Sequence, residues 1–223
     1  IDRHRTQAVA QHLLGDDFDG ILVADGYAGY NGVNPIARQS CLAHLIRKTK
    51  EIKTQILLCE EKHQDKKAIV FCDEIAELFK QACQIGQQIK AGKAERAKAG
   101  KYKRKLQRRL KRMCKAPLSD KNAENFRDRL SNAKREYHRL FVFLDYPDVE
   151  PTNNHAERAL RKLVIFRKIC FGTRSGQGSY CHSVLTSLLC TAIRQGKDPI
   201  DFFHSLFVSN PSTSQAKRCH DSS

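Results

Sequence analysis

Asp25 closes the apolar run Gly20-Ile21-Leu22-Val23-Ala24 and opens the segment Gly26-Tyr27-Ala28-Gly29-Tyr30-Asn31. Glu157 follows after 131 intervening residues, in Asn153-Asn154-His155-Ala156-Glu157-Arg158-Ala159-Leu160-Arg161. A carboxylate at the end of a strand and a second at the start of a helix can hold divalent metal against a phosphodiester, because hard cations take oxygen ligands and share phosphate oxygens. Each acid also has a plainer reading. Asp-Gly after a strand is a common turn. Glu157 precedes Arg161 by four positions, an ordinary helix-surface pair worth about 0.3–0.5 kcal/mol, and any acid is favoured near a helix N-terminus. Two features argue beyond these. The two tyrosines and two glycines that follow Asp25 describe a shaped loop. Around Glu157 in sequence lie Arg158, Arg161, Lys162, Arg167, Lys168 and Arg174, cations suited to phosphates.

Two further constellations stand beside these acids. Cys41-Leu42-Ala43-His44 places a thiol and an imidazole three apart on one helical face. A zinc site needs two more ligands, and no second pair at zinc spacing follows, so core packing with a satisfied histidine is the expectation. Gly172-Thr173-Arg174-Ser175-Gly176-Gln177-Gly178-Ser179 lacks the Gly-Lys-Ser/Thr ending of a P-loop. It is expected to be a flexible loop facing a nucleic acid, with no nucleotide hydrolysis.

The elements that must position these residues are mostly helical. Helical spacing runs from about Thr6 to Leu14 and stops at Gly15. Gly20–Ala24 reads as a short buried strand and Ile36–Ser40 as a second, joined by the turn-rich stretch Asp25–Pro35. Helices are expected from about Cys41 to Leu58, Ala68 to Ala91 and Pro117 to Leu144, the last carrying Phe126, Leu130, Tyr137, Leu140 and Phe141 at helical spacing. A capped helix then carries Glu157, Leu163–Phe171 suits helix or strand equally, and two helices close the chain at about His182–Arg194 and Pro199–Phe207. The class is α+β, predominantly helical, with about two short strands. Residues 209–223 read as a disordered polar tail.

The 223 residues carry 40 Lys+Arg against 24 Asp+Glu, a formal charge of +16. Such an excess concerns partners rather than fold, and nucleic acid is the favoured polyanion. Residues 90–115 concentrate it, with thirteen Lys/Arg against Glu95 alone. Leu106, Leu110 and Met113 keep helical spacing inside that segment, so it is either a solvated helical face or a phosphate-tracking surface on which Lys103, Arg104, Arg108 and Arg109 are candidate contacts. Nine scattered cysteines with no Cys-x-x-Cys pair predict reduced thiols in a cytosol. No apolar stretch is long enough to span a bilayer. The opening Ile1-Asp2-Arg3-His4 predicts a chain that begins inside a longer protein.

Gly20–Asn31 (GILVADGYAGYN), Cys41–Lys48 (CLAHLIRK), Asn153–Arg161 (NNHAERALR), Arg167–Gly178 (RKICFGTRSGQG) and the closing helices at Ser187–Phe207 together resemble the bacterial DDE transposases of the insertion sequence 66 family. The resemblance implies a partial ribonuclease-H-like core in residues 1–49 and 146–208, interrupted by a large, basic helical insertion over 50–145. It makes Asp25 the second and Glu157 the third acidic ligand of two Mg²⁺ (or Mn²⁺) ions, which lie about 3.5–4 Å apart in such sites and activate a water and then a 3′-hydroxyl. Cys41 and His44 match a Cys-x-x-His signature of structural role, and Arg158 and Arg161 would contact DNA, with Arg167, Lys168 and Arg174 nearby. The implied partners are transposon ends and target DNA, in a homo-oligomer associated with the bacterial nucleoid in the cytoplasm. The first catalytic Asp belongs on an earlier strand, and Asp2, Asp16, Asp17 and Asp19 do not match it. The expectation is therefore a fragment of an enzyme for DNA strand cleavage and transfer, inactive as this isolated chain. The alternative is a non-catalytic basic DNA- or RNA-binding protein, a relic or a repurposed domain.

Overall fold

A computed structural model describes residues 6–15, 18–133, 136–169 and 172–208, without the side chains of 162, 163, 166 and 167. The expected tail at 209–223, together with Asp2, Asp16 and Asp17, lies outside the described residues. The order of elements is α1 (Gln7–Leu14), β1 (Ile21–Ala24), β2 (Ala37–Ser40), α2 (Leu42–Leu57), α3 (Lys66–Lys90), α4 (Ala99–Met113), α5 (Lys121–Ser131), α6 (Asn154–Ile169), α7 (Gly176–Arg194) and α8 (Pro199–Val208). The chain is predominantly helical with a two-stranded sheet, as expected, and no described helix is long and apolar enough to cross a membrane. It divides into two compact units, residues 2–161 and 162–223.

In the first unit β1 and β2 pair in parallel, with Ile21 opposite Ala37 and Ala24 opposite Ser40. Parallel neighbours need a connection of about a dozen residues, which Asp25–Ile36 supplies through a turn at Ala28–Tyr30. The core lies on the helical side. Helix α2 buries Leu42, Leu45, Thr49, Ile52 and Ile56, whose spacing of three and four makes one stripe. Helix α3 folds back on it with Phe71, Cys72, Ile75, Leu78, Phe79 and Ala82. Each large apolar side chain so buried contributes about 1.5–3 kcal/mol. Asp65 joins two helix starts: one carboxylate oxygen accepts the Ala68 amide at 3.0 Å, and the other accepts those of Ser119 and Asp120 at 2.7 and 2.9 Å. Burial pushes this carboxyl up, but the backbone donors outweigh it and hold it below the usual range.

The helix expected to reach Leu144 ends at Ser131, a correction with a visible cause. Asn132 is extended (ψ 118°), and the chain continues through two short 3₁₀ turns, Tyr137–Arg139 and Val142–Leu144. Gln39, 1% exposed, needs partners there: its amide donates to the Leu140 carbonyl at 3.0 Å and its carbonyl accepts the Phe143 amide at 3.0 Å. Apolar spacing survives because such turns also bring a residue inward every three or four positions. The ambiguous stretch after Arg161 is helical to Ile169. Part of the expected glycine-rich loop is helix as well, since Ser175 accepts the Gly178 amide at 3.0 Å and starts α7 at Gly176. In the second unit α7 and α8 pack together, while Val184, Leu185, Leu189, Ile193, Leu206 and Phe207 stay exposed.

The seven described cysteines are free thiols. Burial pushes Cys72, Cys83 and Cys114 up to about 11, so below pH 9 they stay protonated and poorly nucleophilic. At pH 8 a maleimide is expected to modify the exposed Cys59, Cys181 and Cys190 first, with the buried Cys72 and Cys114 and the part-buried Cys83 reacting only as pH nears 11. Peptide mass spectrometry of timed samples checks this order. Gln39→Leu, which strands a buried carbonyl and a buried amide, is expected to cost about 2–4 kcal/mol in urea denaturation.

Candidate active site around Cys41

Asp25 follows directly on β1 and is exposed. Its Oδ1 accepts the Tyr27 amide at 3.1 Å, a side-chain turn that shapes the loop, and Gly26 takes φ +83°, a left-handed conformation natural to glycine. Tyr27 and Tyr30 stack edge to face across the loop, with ring centres 5.8 Å apart.

The two strand ends are joined because the Cys41 amide donates to the Ala24 carbonyl at 2.8 Å. Cys41 is 1% exposed and its Sγ accepts the Asn153 amide at 3.3 Å. The next amide, of Leu42, donates to the Pro151 carbonyl at 2.9 Å. Asn153 accepts the Glu157 amide at 3.1 Å and so starts α6. His44 Nε2 lies 3.4 Å from Glu157 Oε1. The Cys-x-x-His spacing thus becomes two attachments one helical turn apart, with the thiol on the turn before α6 and the imidazole on its first acid. Asp25 and Glu157 ride on elements that meet at Cys41. His44 Nδ1 and Asn153 Oδ1 are buried at this junction without a hydrogen-bond partner in the described structure.

The candidate cations fall into different places. Arg158 is exposed and lines a cleft of about 540 Å³, with Lys90 and Arg96 on its wall and Ile46, Phe143 and Val149 among its apolar lining. Lys90 donates to Glu150 there at 2.6 Å and, against the effect of burial, holds that carboxyl below its usual range. Arg161, Lys168 and Arg174 are exposed; the side chain of Arg167 lies outside the described residues. On α4, Lys103 turns back to Asp145 and Arg109 to Gln81. Arg104 and Arg108 face solvent, with Lys101, Lys105 and Arg112 also exposed at positions that recur every three or four residues, and Lys115 exposed just beyond the helix end. Leu106 and Leu110 are buried on the other side of the same helix.

No group of three or more His, Cys, Asp or Glu among the described residues could hold a metal ion by itself. Two oxygen donors suit a hard cation such as Mg²⁺, which typically binds one or two carboxylates and completes its shell with water and substrate phosphate. Asp25 and Glu157 each offer carboxylate oxygens of that kind.

A family model for the IS66 family of transposases matches residues 1–180. The chain belongs to the IS66 transposase family. The chain is also similar to an uncharacterized protein, y4jD, of Sinorhizobium fredii (strain NBRC 101917 / NGR234), at 27% identity over 196 residues, covering 82% of this chain and 36% of that protein. The chain thus spans about a third of this relative's length. No solved structure matches it.

Glu136, Arg129, Ser40 and Gln39 around this site were not legible as site residues in the sequence. The available signal was a polar pair, Gln39-Ser40, closing a strand beside a buried cysteine. Removing the thiol acceptor with Cys41→Ala leaves the Asn153 amide without its partner. Exchange at the Asn153–Glu157 amides is expected to rise about tenfold, the equivalent of roughly 1.4 kcal/mol of lost hydrogen bonding. Hydrogen–deuterium exchange with peptide resolution measures it.

Proposed function

We propose that this chain carries the second and third acidic residues of a DDE transposase on part of a ribonuclease-H-like core. In this reading it takes part in metal-dependent cleavage and joining of DNA strands, in an oligomer at the transposon ends. One observation carries the proposal: Asp25 and Glu157, remote in sequence, stand on a strand end and a helix start that hydrogen-bond to the same buried cysteine. Membership of a transposase family supplies the substrate class. When bound, Mg²⁺ or Mn²⁺ would provide Lewis-acid stabilisation of the charge that develops on the phosphate. The chain's own part is to hold two carboxylates at fixed positions, with Arg158 and Arg161 beside Glu157 to take substrate phosphates. The solvent-facing stripe of α4, centred on Arg104 and Arg108, meets the DNA backbone through counterion release.

A second reading, salt-sensitive nucleic-acid binding without catalysis, draws on the same stripe and on the lack, among the described residues, of any group of three or more His, Cys, Asp or Glu that could hold a metal ion. One comparison separates the two. In the full-length protein Glu157→Gln is expected to lower metal-dependent strand cleavage by at least about 10³-fold while DNA affinity changes little. Reversing Arg104 and Arg108 to Glu is expected to weaken DNA binding and flatten its salt dependence. Cleavage that survives Glu157→Gln removes the catalytic reading. Affinity indifferent to the charge reversals removes α4 as the DNA-contacting surface.

A further inference from the structure

Among the described residues Glu136 is the only buried acid, at 5% exposure. Burying a carboxylate is costly unless its oxygens are filled, and here both are. Oε1 accepts from Arg129 Nε at 3.1 Å and Nη2 at 2.6 Å, and Oε2 accepts the Ser40 hydroxyl. A buried ion pair is weak evidence for stability, because apolar side chains of similar volume often serve as well. What it does supply is fixed geometry, through a planar fork that accepts few arrangements.

That geometry faces Asp25 from both sides along the chain. Ser40 stands opposite Ala24 in the sheet register, one residue before Asp25. On the other side is Gly26, where an added Cβ would lie 2.9 Å from Arg129 Nη2 and 3.7 Å from Glu136 Oε1. The guanidinium–carboxylate fork therefore packs against the backbone that carries Asp25, and the absence of a side chain at Gly26 lets it approach. Arg129 lies in the last turn of α5 and Glu136 follows the helix, both within the stretch that separates the two candidate catalytic acids in sequence.

We propose that the Arg129–Glu136 pair is a positioning device for Asp25: it clamps the Ala24–Gly26 backbone so that the Asp25 carboxylate is presented at the strand end in one orientation. Arg129 and Glu136 are positioning residues that act through the loop, and neither touches substrate in this account. The inference rests on the proposed role of Asp25 as a metal-binding acid. It gives the insertion a task beyond contacting DNA.

The test is Mn²⁺ affinity of the full-length protein, read by water-proton relaxation, with Glu136→Gln made in the native and in the Asp25→Asn background. Glu136→Gln is expected to weaken Mn²⁺ binding about 10–100-fold in the native background, the scale for groups that orient a metal ligand. It should have no further effect once Asp25 is Asn, since coupled residues are non-additive. Melting temperatures should fall equally in both backgrounds. Arg129→Lys keeps the charge, loses the fork and sits on a part-exposed side chain, so it carries the same comparison if Glu136→Gln does not fold. An equal weakening in both backgrounds, or none in either, overturns the positioning role. If the unsubstituted protein binds no Mn²⁺, or binds it indifferently to Asp25→Asn and Glu157→Gln, the metal reading beneath it fails instead.

Discussion

The burial of Cys41 is the constraint from which the site follows. This residue ends the pairing of two short strands, starts α2 and receives the backbone amide that precedes α6, while its own amide closes on Ala24. A thiol is a weak acceptor, and a backbone amide in this position would otherwise be bound to water. Folding the thiol into the core displaces that water, so the sulfur–amide contact becomes the way to satisfy a part-buried donor. His44, one turn along α2, adds a contact to Glu157 that is part-exposed and correspondingly weak. The division of labour is physical: the contact to the buried thiol sets where α6 begins, and the part-exposed one biases how its first acid is oriented.

The stretch between the two acids is more than a spacer. It contributes α3, α4 and α5 to the core cluster and sends buried hydrogen bonds back to β2, through Gln39 to Leu140 and Phe143 and through Ser40 to Glu136. An isolated two-stranded parallel ribbon has little stability in water. In this unit the strand pair therefore depends on those bonds and on the apolar packing of residues 140–144, all of it buried. The stretch between the two acids is therefore coupled to the strand end mechanically, since moving residues 136–143 moves β2, which is bonded to them.

Helix positions were legible where one apolar stripe decided them, as in α2 and α3, because packing and periodicity agree there. The two strands were legible from their length and the turn residues around them. The end of α5 was not. Phe126, Leu130, Tyr137 and Leu140 keep a helix-like period, but buried polar groups on β2 demand partners from the chain after Ser131, and period alone carries no record of that demand. The acids Asp25 and Glu157 were singled out by local context, whereas the link between their elements through Cys41 depends on a pairing more than 100 residues apart in sequence. Nothing in the local sequence marks Glu136, and only its burial and its approach to Gly26 tie it to the loop.

The charge of α4 completes the argument about partner. Lys103 and Arg109 are spent on Asp145 and Gln81 within the unit. The exposed residues Lys101, Arg104, Lys105, Arg108 and Arg112 share a face, and each has a like charge within three or four positions, an arrangement that opposes helix formation by a few tenths of a kcal/mol per pair. Leu106 and Leu110, fully or nearly buried, hold the helix in place despite this repulsion. Solubility alone would be served by charges of mixed sign, which repel less. A single-signed stripe anchored by a buried apolar one instead stores unfavourable Coulomb energy that a polyanion relieves, and the short range of screened charges at physiological salt, about 8 Å, confines that relief to a ligand lying directly along the helix.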